Sequence, residues 1–263
     1  MAHQGQVQPE QVDAASVPVA DAATILLLRD AGTGVEVFSI RRAASMVFAG
    51  GVIAFPGGGV DPSDYDPLPA AGPDGGEWSR RLGVDAPRAQ AIVSAAVREC
   101  FEETGMLLTS PAHSMSYDGG PDRSLWAPWR SRVDSHEISM GEMLRDNALV
   151  ADTGRLVELS RWITPVGPPR RYDTFFFGIE LTSGDPHEPD GHCGEFDDSG
   201  WSRPKDMLDA SARSEVHLLP PTLAHFEELA AADSVRGYLD REPTMAPVNN
   251  DLPGQIRRPP HHS

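Results

Sequence analysis

The chain has 263 residues, 40% of them apolar, which is enough for one domain with a sizeable core. Its formal net charge of −17 lacks the basic footprint that general nucleic-acid binding needs, and leaves room for a small anionic ligand in a locally basic or cation-loaded cleft. The two cysteines, Cys100 and Cys193, form no CxxC pair and so suggest no disulfide framework or zinc knuckle, and no apolar run reaches membrane-spanning length.

Residues 1–18, polar and rich in Gln, are expected to form a flexible tail without the pattern of a secretory signal. Ordered structure begins at "ATILLLRD", a strand; "AGTG" turns the chain, and "VEVFSIRR" alternates as the return strand of a hairpin. "GVIAF" reads as a short strand running into "PGGG", and residues 61–87, dominated by Pro, Gly and Asp, read as a loop. "PRAQAIVSAAVRECFEET" is the strongest helix, stopped by Gly105. Residues 123–162 carry further helical pattern in "RSLWAPWRSRVDS", "SMGEMLRDN" and "GRLVELSRW". "RYDTFFFGIEL" follows as a strand, "GEFDDSGWSRP" as a loop, then "PKDMLDASARSE" and "PPTLAHFEELAAAD" as helices. Residues 242–263, rich in Pro and Asn, are expected to be a second flexible tail, with no recognisable peroxisomal address. Strands and helices interleave, so the class is α/β or α+β, and the expected setting is soluble, reducing and cytoplasmic.

The helix ending at Gly105 carries an anomaly. Val93, Ala96, Val97, Cys100 and Phe101 share one arc of the wheel and are expected to bury against a sheet. Glu99, Glu102 and Glu103 crowd the neighbouring arc near the negative end of the helix dipole. Like charges at that spacing cost roughly a few tenths of a kcal/mol per pair. A bound divalent cation would reverse the penalty, and ligands that are all oxygen point to a hard ion, Mg²⁺ or Mn²⁺. The plain alternative is a solvated acidic face. Cys100 reads as a small buried hydrophobe, and the His187, His192 and Cys193 group as a surface loop without recurrent zinc spacing.

Together, "FPGGGV" and R-E-C-F-E-E-T-G-M resemble the box of the Nudix hydrolases, G-x5-E-x7-R-E-U-x-E-E-x-G-U with U apolar. Arg98, Glu99, Cys100, Glu102, Glu103, Gly105 and Met106 fill its second half, and Gly58 matches the leading glycine. The first half departs from the pattern: the early acid is either Asp64, counted from Gly58, or replaced by Gln90, counted back from Arg98, with residues 65–89 inserted. The resemblance implies a mixed sheet between helices, an α/β/α sandwich, in a domain over residues 19–241 with a mostly helical insertion at about 109–160. It also implies Glu99, Glu102 and Glu103 as metal ligands, completed by the Gly58 carbonyl, with Arg98 orienting them. One of these carboxylates, or Glu195, would act as base.

"IRRAASMVFAGGVIAFPGG" is similar to the signature upstream of the box in coenzyme A diphosphatases of that family, with Val47 where a second arginine is expected. "WITPVGPPRRYDTFFF", "GEFDDSGW" and "LLPPT" resemble later segments of the mammalian peroxisomal branch of coenzyme A diphosphatases, which also has a long insertion in its box. This implies a metal-dependent hydrolase of a small-molecule diphosphate, coenzyme A or acyl-coenzyme A, with Arg42, Gly51, Phe55 and Arg171 as substrate contacts. Two alternatives stay open: the same chemistry on NADH, dinucleotides or oxidised nucleotides, and a catalytically silent Nudix-fold binder. A homodimer is left open; nucleic-acid and membrane partners are not expected.

Overall fold

The computed structural model describes residues 17–42, 52–109, 125–182, 185, 188–191 and 196–249. Residues 1–16 and 250–263 of the expected tails, Val47, Gly51, Glu195 and the His187, His192 and Cys193 group lie outside them, and Arg42 is described for its backbone alone.

The long run of apolar residues after the first tail forms β1 (Val19–Ala31), which turns back into β2 (Gly34–Arg42) as expected of the hairpin. β3 (Val52–Ala54), β4 (Gly57–Gly59), β5 (Val157–Ile163), β6 (Arg171–Glu180), β7 (Phe196–Ser202), β8 (His217–Leu218) and β9 (Thr244–Asn249) complete one mixed sheet. Its order is β8-β3-β2-β1-β6-β5-β9, with β4 also pairing to β1 and β7 to β2. β1 lies parallel to β6 from Val19 to Leu28; on its other side it pairs antiparallel first with β4 and then with β2.

Side chains alternate across this sheet and feed two cores. Ala23, Ile25, Leu27, Phe175 and Phe177 pack on one face against α2 (Ala86–Thr104), and Leu26, Leu28 and Phe176 pack on the other beneath α6 (Pro220–Ala230) and α7 (Val235–Leu239). Burial of both faces explains why β1 and β6 read as nearly unbroken apolar runs. The result is the expected α/β/α sandwich. α1 (Gly75–Leu82), α3 (Ala127–Asp134) and α4 (Met140–Asp146) join α2 on its side, and α5 (Pro204–Ala212) sits with α6. Among the described residues no helix is long and apolar enough to cross a membrane.

Four elements differ from the expectation. The segment expected to be loop contains α1, masked by its starting pair Gly75–Gly76, which disfavours helix. The Asp74 side chain caps its start, Gly83 (φ 68°) ends it, and Trp78 and Leu82, one turn apart, bury into the core. The Trp78 and Phe177 rings meet edge-on at 6.0 Å. "GRLVELSRW" is not helical: its Leu156 and Leu159 have helix-like spacing, but pairing with β6 and β9 makes Val157–Ile163 a strand, which trims the helical insertion. Within the segment expected to be loop, Phe196–Ser202, with its two aspartates and a glycine, is strand β7, held on β2 by main-chain pairing and by Trp201 against Phe38 at 5.8 Å. Part of the expected C-terminal tail is β9, whose Met245 and Val248 pack against the two cores.

Candidate functional site

The expected helix over residues 87–104 runs Ala86–Thr104, opened by the Asp85 side chain, which accepts the Arg88 N–H, and closed by Gly105 at φ 68°. β4 is packed against this helix, with its three glycines paired to β1. Bare backbone is needed there. A Cβ on Gly58 would stand 2.3 Å from Glu99 Oε1, and one on Gly57 would stand 2.4 Å from the Ala23 carbonyl oxygen. The Gly57 N–H donates to Glu103 Oε2 at 2.7 Å.

Between β4 and α2 the chain makes a short 3-10 turn, Pro62–Tyr65, capped by Asp61. This turn delivers Asp64 to Arg98, and resolves the question of the early acid. Arg98 Nε donates to Asp64 Oδ1 at 2.8 Å and Nη2 to Asp64 Oδ2 at 2.9 Å, a two-pronged contact with both side chains buried. Gln90 is exposed and lies beside Gly75 instead. The remaining donors of Arg98 reach Glu99 Oε1 (2.8 Å), Glu102 Oε2 (2.8 Å) and the Gly59 carbonyl (2.9 Å), so all five of its N–H groups are used. Burial alone would lower the Arg98 pKa; the Asp64 hydrogen bond and the Glu99 carboxylate more than offset it, so the guanidinium is held charged.

The three glutamates are only 7–8% exposed, so they are not a solvated face. Burial pushes Glu102 up to about 8, with Arg98 pulling the other way and Glu99 adding to the rise. Its Oε1 is buried and has no hydrogen-bond partner. A buried acceptor with no donor, beside two further carboxylates, suits a hard divalent cation in both charge and donor type. Among the described residues no three His, Cys, Asp or Glu side chains stand close enough together to hold a metal ion. Glu99 and Glu102 are drawn onto Arg98, and Glu103 onto the Gly57 N–H. Glu99, Glu102 and Glu103 supply oxygen donors of the type a hard cation takes, and a cation there would have to compete for these contacts.

Phe55 and Arg171 are the other expected contacts whose side chains are described. Phe55, expected at the substrate, is 3% exposed and packs in the opposite core, 5.2 Å from the Phe226 ring. This is a correction, and its cause is the pleat, which turns Phe55 to the α6 face. Arg171 opens β6 and its Nε donates to the Thr164 carbonyl at 3.1 Å. Asp173 is engaged in the sheet by Arg161 and Arg88, and Arg88 also binds Asp21. Cys100 is a free buried thiol, pushed up to about 12 by burial, as expected of a core residue.

Two residues at the site had no signature in the sequence. Arg130, from α3, donates from Nε to the Glu102 carbonyl and from Nη1 to Asp190, each at 2.7 Å. The Asp190 N–H donates to the Thr104 carbonyl at 2.8 Å. Arg130 lies 28 residues from Glu102 and 60 from Asp190, so no local motif joins them.

The model of the NUDT19 Nudix domain matches residues 76–229. An acyl-coenzyme A diphosphatase NUDT19 from Gallus gallus is 30% identical over 222 residues, 71% of this chain and 58% of that protein. The Xenopus laevis protein of the same name is 26% identical over 227 residues, 74% of this chain and 59% of its own. The chain thus spans about three fifths of the length of these curated relatives. A crystal structure of a Nudix hydrolase from Alicyclobacillus acidocaldarius superposes with a TM-score of 0.69 at 28% identity, covering 88% of this chain and all of that one. With a fold of helices on both faces of a mixed sheet, an Arg98-centred carboxylate cluster and a family match over more than half its length, this chain belongs to the NUDT19 Nudix-domain family.

Proposed function

We propose that the chain hydrolyses the diphosphate of coenzyme A or acyl-coenzyme A, with Mg²⁺ or Mn²⁺ held by Glu99, Glu102 and Glu103. The observation that carries this reading is Glu102, a buried carboxylate with one oxygen unpartnered, within one helical turn of the equally buried Glu99 and Glu103. The substrate class is supported by relatives that bear the name acyl-coenzyme A diphosphatase. A reducing compartment such as the cytoplasm suits the free, buried Cys100 thiol.

The protein's part in the reaction is mostly arrangement. Arg98 spreads its donors over Asp64, Glu99 and Glu102 and so fixes the loop to the helix. The Gly57 N–H orients Glu103, and the missing side chain of Gly58 leaves the Glu99 carboxylate its space. When bound there, the cation supplies neutralisation of the diphosphate oxygens and acidification of water. A carboxylate of this set, or Glu195, takes the proton from the attacking water. The water oxygen bonds to one phosphorus, the bridging P–O bond breaks, and two phosphate monoesters leave. Arg42 and Arg171 are the candidates for phosphates of the nucleotide half.

The test is a panel of coenzyme A, acyl-coenzyme A, NADH, dinucleotides and oxidised nucleoside triphosphates, each with Mg²⁺ or Mn²⁺ and with phosphate-monoester products read out. The expected result is the highest kcat/KM on coenzyme A or its acyl esters, abolished by chelator. Tight binding of coenzyme A with no hydrolysis under either metal would replace the enzyme by a binder.

A further inference from the structure

We infer that Arg130 and Asp190 form a positioning pair that holds the last turn of α2 in the geometry the carboxylates need; this rests on the diphosphatase reading above. The end of a helix leaves carbonyls without intrahelical partners. Here two of them are taken by protein: Glu102 by Arg130 Nε and Thr104 by the Asp190 N–H. The Glu102 carbonyl belongs to the peptide that joins Glu102 to Glu103, so fixing it orients the backbone of both residues at once. Arg130 and Asp190 bind each other at 2.7 Å, which ties α3 and the segment before β7 to the same helix end. The guanidinium also brings positive charge to the negative end of the dipole, where three glutamates repel one another. Gly105 permits the closure, since a Cβ there would stand 3.2 Å from Arg130 Nη1 and 3.3 Å from Asp190 Oδ2.

The experiment compares wild type, Arg130→Ala, Arg130→Lys, Asp190→Asn and the Arg130→Ala/Asp190→Ala double variant as full chains. Mn²⁺ affinity is measured on the metal-free protein by electron paramagnetic resonance, alongside kcat and KM on coenzyme A at saturating metal. Leu229→Ala, in the opposite core, serves as a variant destabilised without touching the pair. Mn²⁺ affinity is expected to fall about tenfold in Arg130→Ala, in the range seen when a partner that orients a metal ligand is lost. It should fall less in Arg130→Lys, stay unchanged in Leu229→Ala, and fall no further in the double variant than in Arg130→Ala. The drop in activity should appear in kcat more than in KM. Wild-type Mn²⁺ affinity and kcat in Arg130→Ala would overturn the inference, and if that variant does not fold, the same result in Arg130→Lys and Asp190→Asn would do so. A wild type that binds Mn²⁺ but cleaves no diphosphate sinks the functional reading alone, because the pair is judged on Mn²⁺ affinity; one that binds no Mn²⁺ sinks both.

Discussion

Two buried polar clusters flank the same sheet, and they are built on opposite terms. Under α6, His225 uses both ring nitrogens, Nε2 with the Ser160 hydroxyl at 2.9 Å and Nδ1 with the Tyr238 hydroxyl at 2.7 Å. Trp162 Nε1 donates to the same serine at 3.0 Å. That cluster is neutral and hydrogen-bonded at each of these atoms, so it links β5, α6 and α7 without requiring anything from outside. Beside α2, four ionisable side chains, Asp64, Arg98, Glu99 and Glu102, are packed together with one carboxylate oxygen left over. The contrast teaches that burial of polar groups has two outcomes in one molecule. A complete network is a structural tie, whereas an incomplete charged one leaves an acceptor without a donor, the feature on which the proposed cation site rests.

Breaking the charged cluster should give the largest effects. Glu103→Gln is expected to lower kcat by about 10²- to 10³-fold or more, the scale of losing one electrostatic contact to a reacting group. Its melting temperature should barely move, because the amide oxygen can still accept the Gly57 N–H. Steady-state kinetics and thermal melts on one preparation check both halves. Arg98→Met leaves Asp64, Glu99 and Glu102 buried without their cation, and should cost about 3–5 kcal/mol in urea unfolding.

The neutral cluster should show itself through acid. Burial pushes His225 down to about 3 from an ordinary 6.5, so it stays neutral in the folded chain while the unfolded chain takes up a proton. Its contribution is whole above pH 6.5 and lost as pH falls toward 3, at a slope of roughly 1.4 kcal/mol per pH unit inside that window. His225→Gln should flatten that slope when unfolding free energies of the two proteins are compared from pH 7 to pH 4. The smallest effect sharpens the contrast from outside either cluster. Gln90→Glu, which restores an acid at the other candidate position for the box, should change neither stability nor kcat beyond about 0.5 kcal/mol, because Gln90 is exposed and Asp64 already holds Arg98.

How far the sequence carried depends on where each partner sits along the chain. Glu99, Glu102, Glu103 and Arg98 lie within a turn and a half of one helix, so spacing alone grouped them. Asp64 lies 34 residues from Arg98, across an inserted segment that shifts any count, and only the folded 3-10 turn selects it over Gln90. Arg130, Asp190 and the trio of Ser160, His225 and Tyr238 are joined solely by tertiary contact and leave no periodic trace. Phe55 misled because its neighbours "PGG" belong to the site while the alternating pleat sends its own ring to the far core. α1 and β7 were hidden by Gly and Asp, whose local preference for turns is overridden by Trp78 and Trp201 docking on the sheet.

The strand at Thr244–Asn249 has a practical consequence for anyone shortening the protein. A chain stopped at residue 241 would keep every carboxylate of the cluster, yet it would strip the outermost ribbon from β5 and leave a line of unsatisfied amides and carbonyls facing water. Such a line invites a second copy to add its own ribbon, so the trimmed protein should clump at concentrations where the longer one stays dispersed.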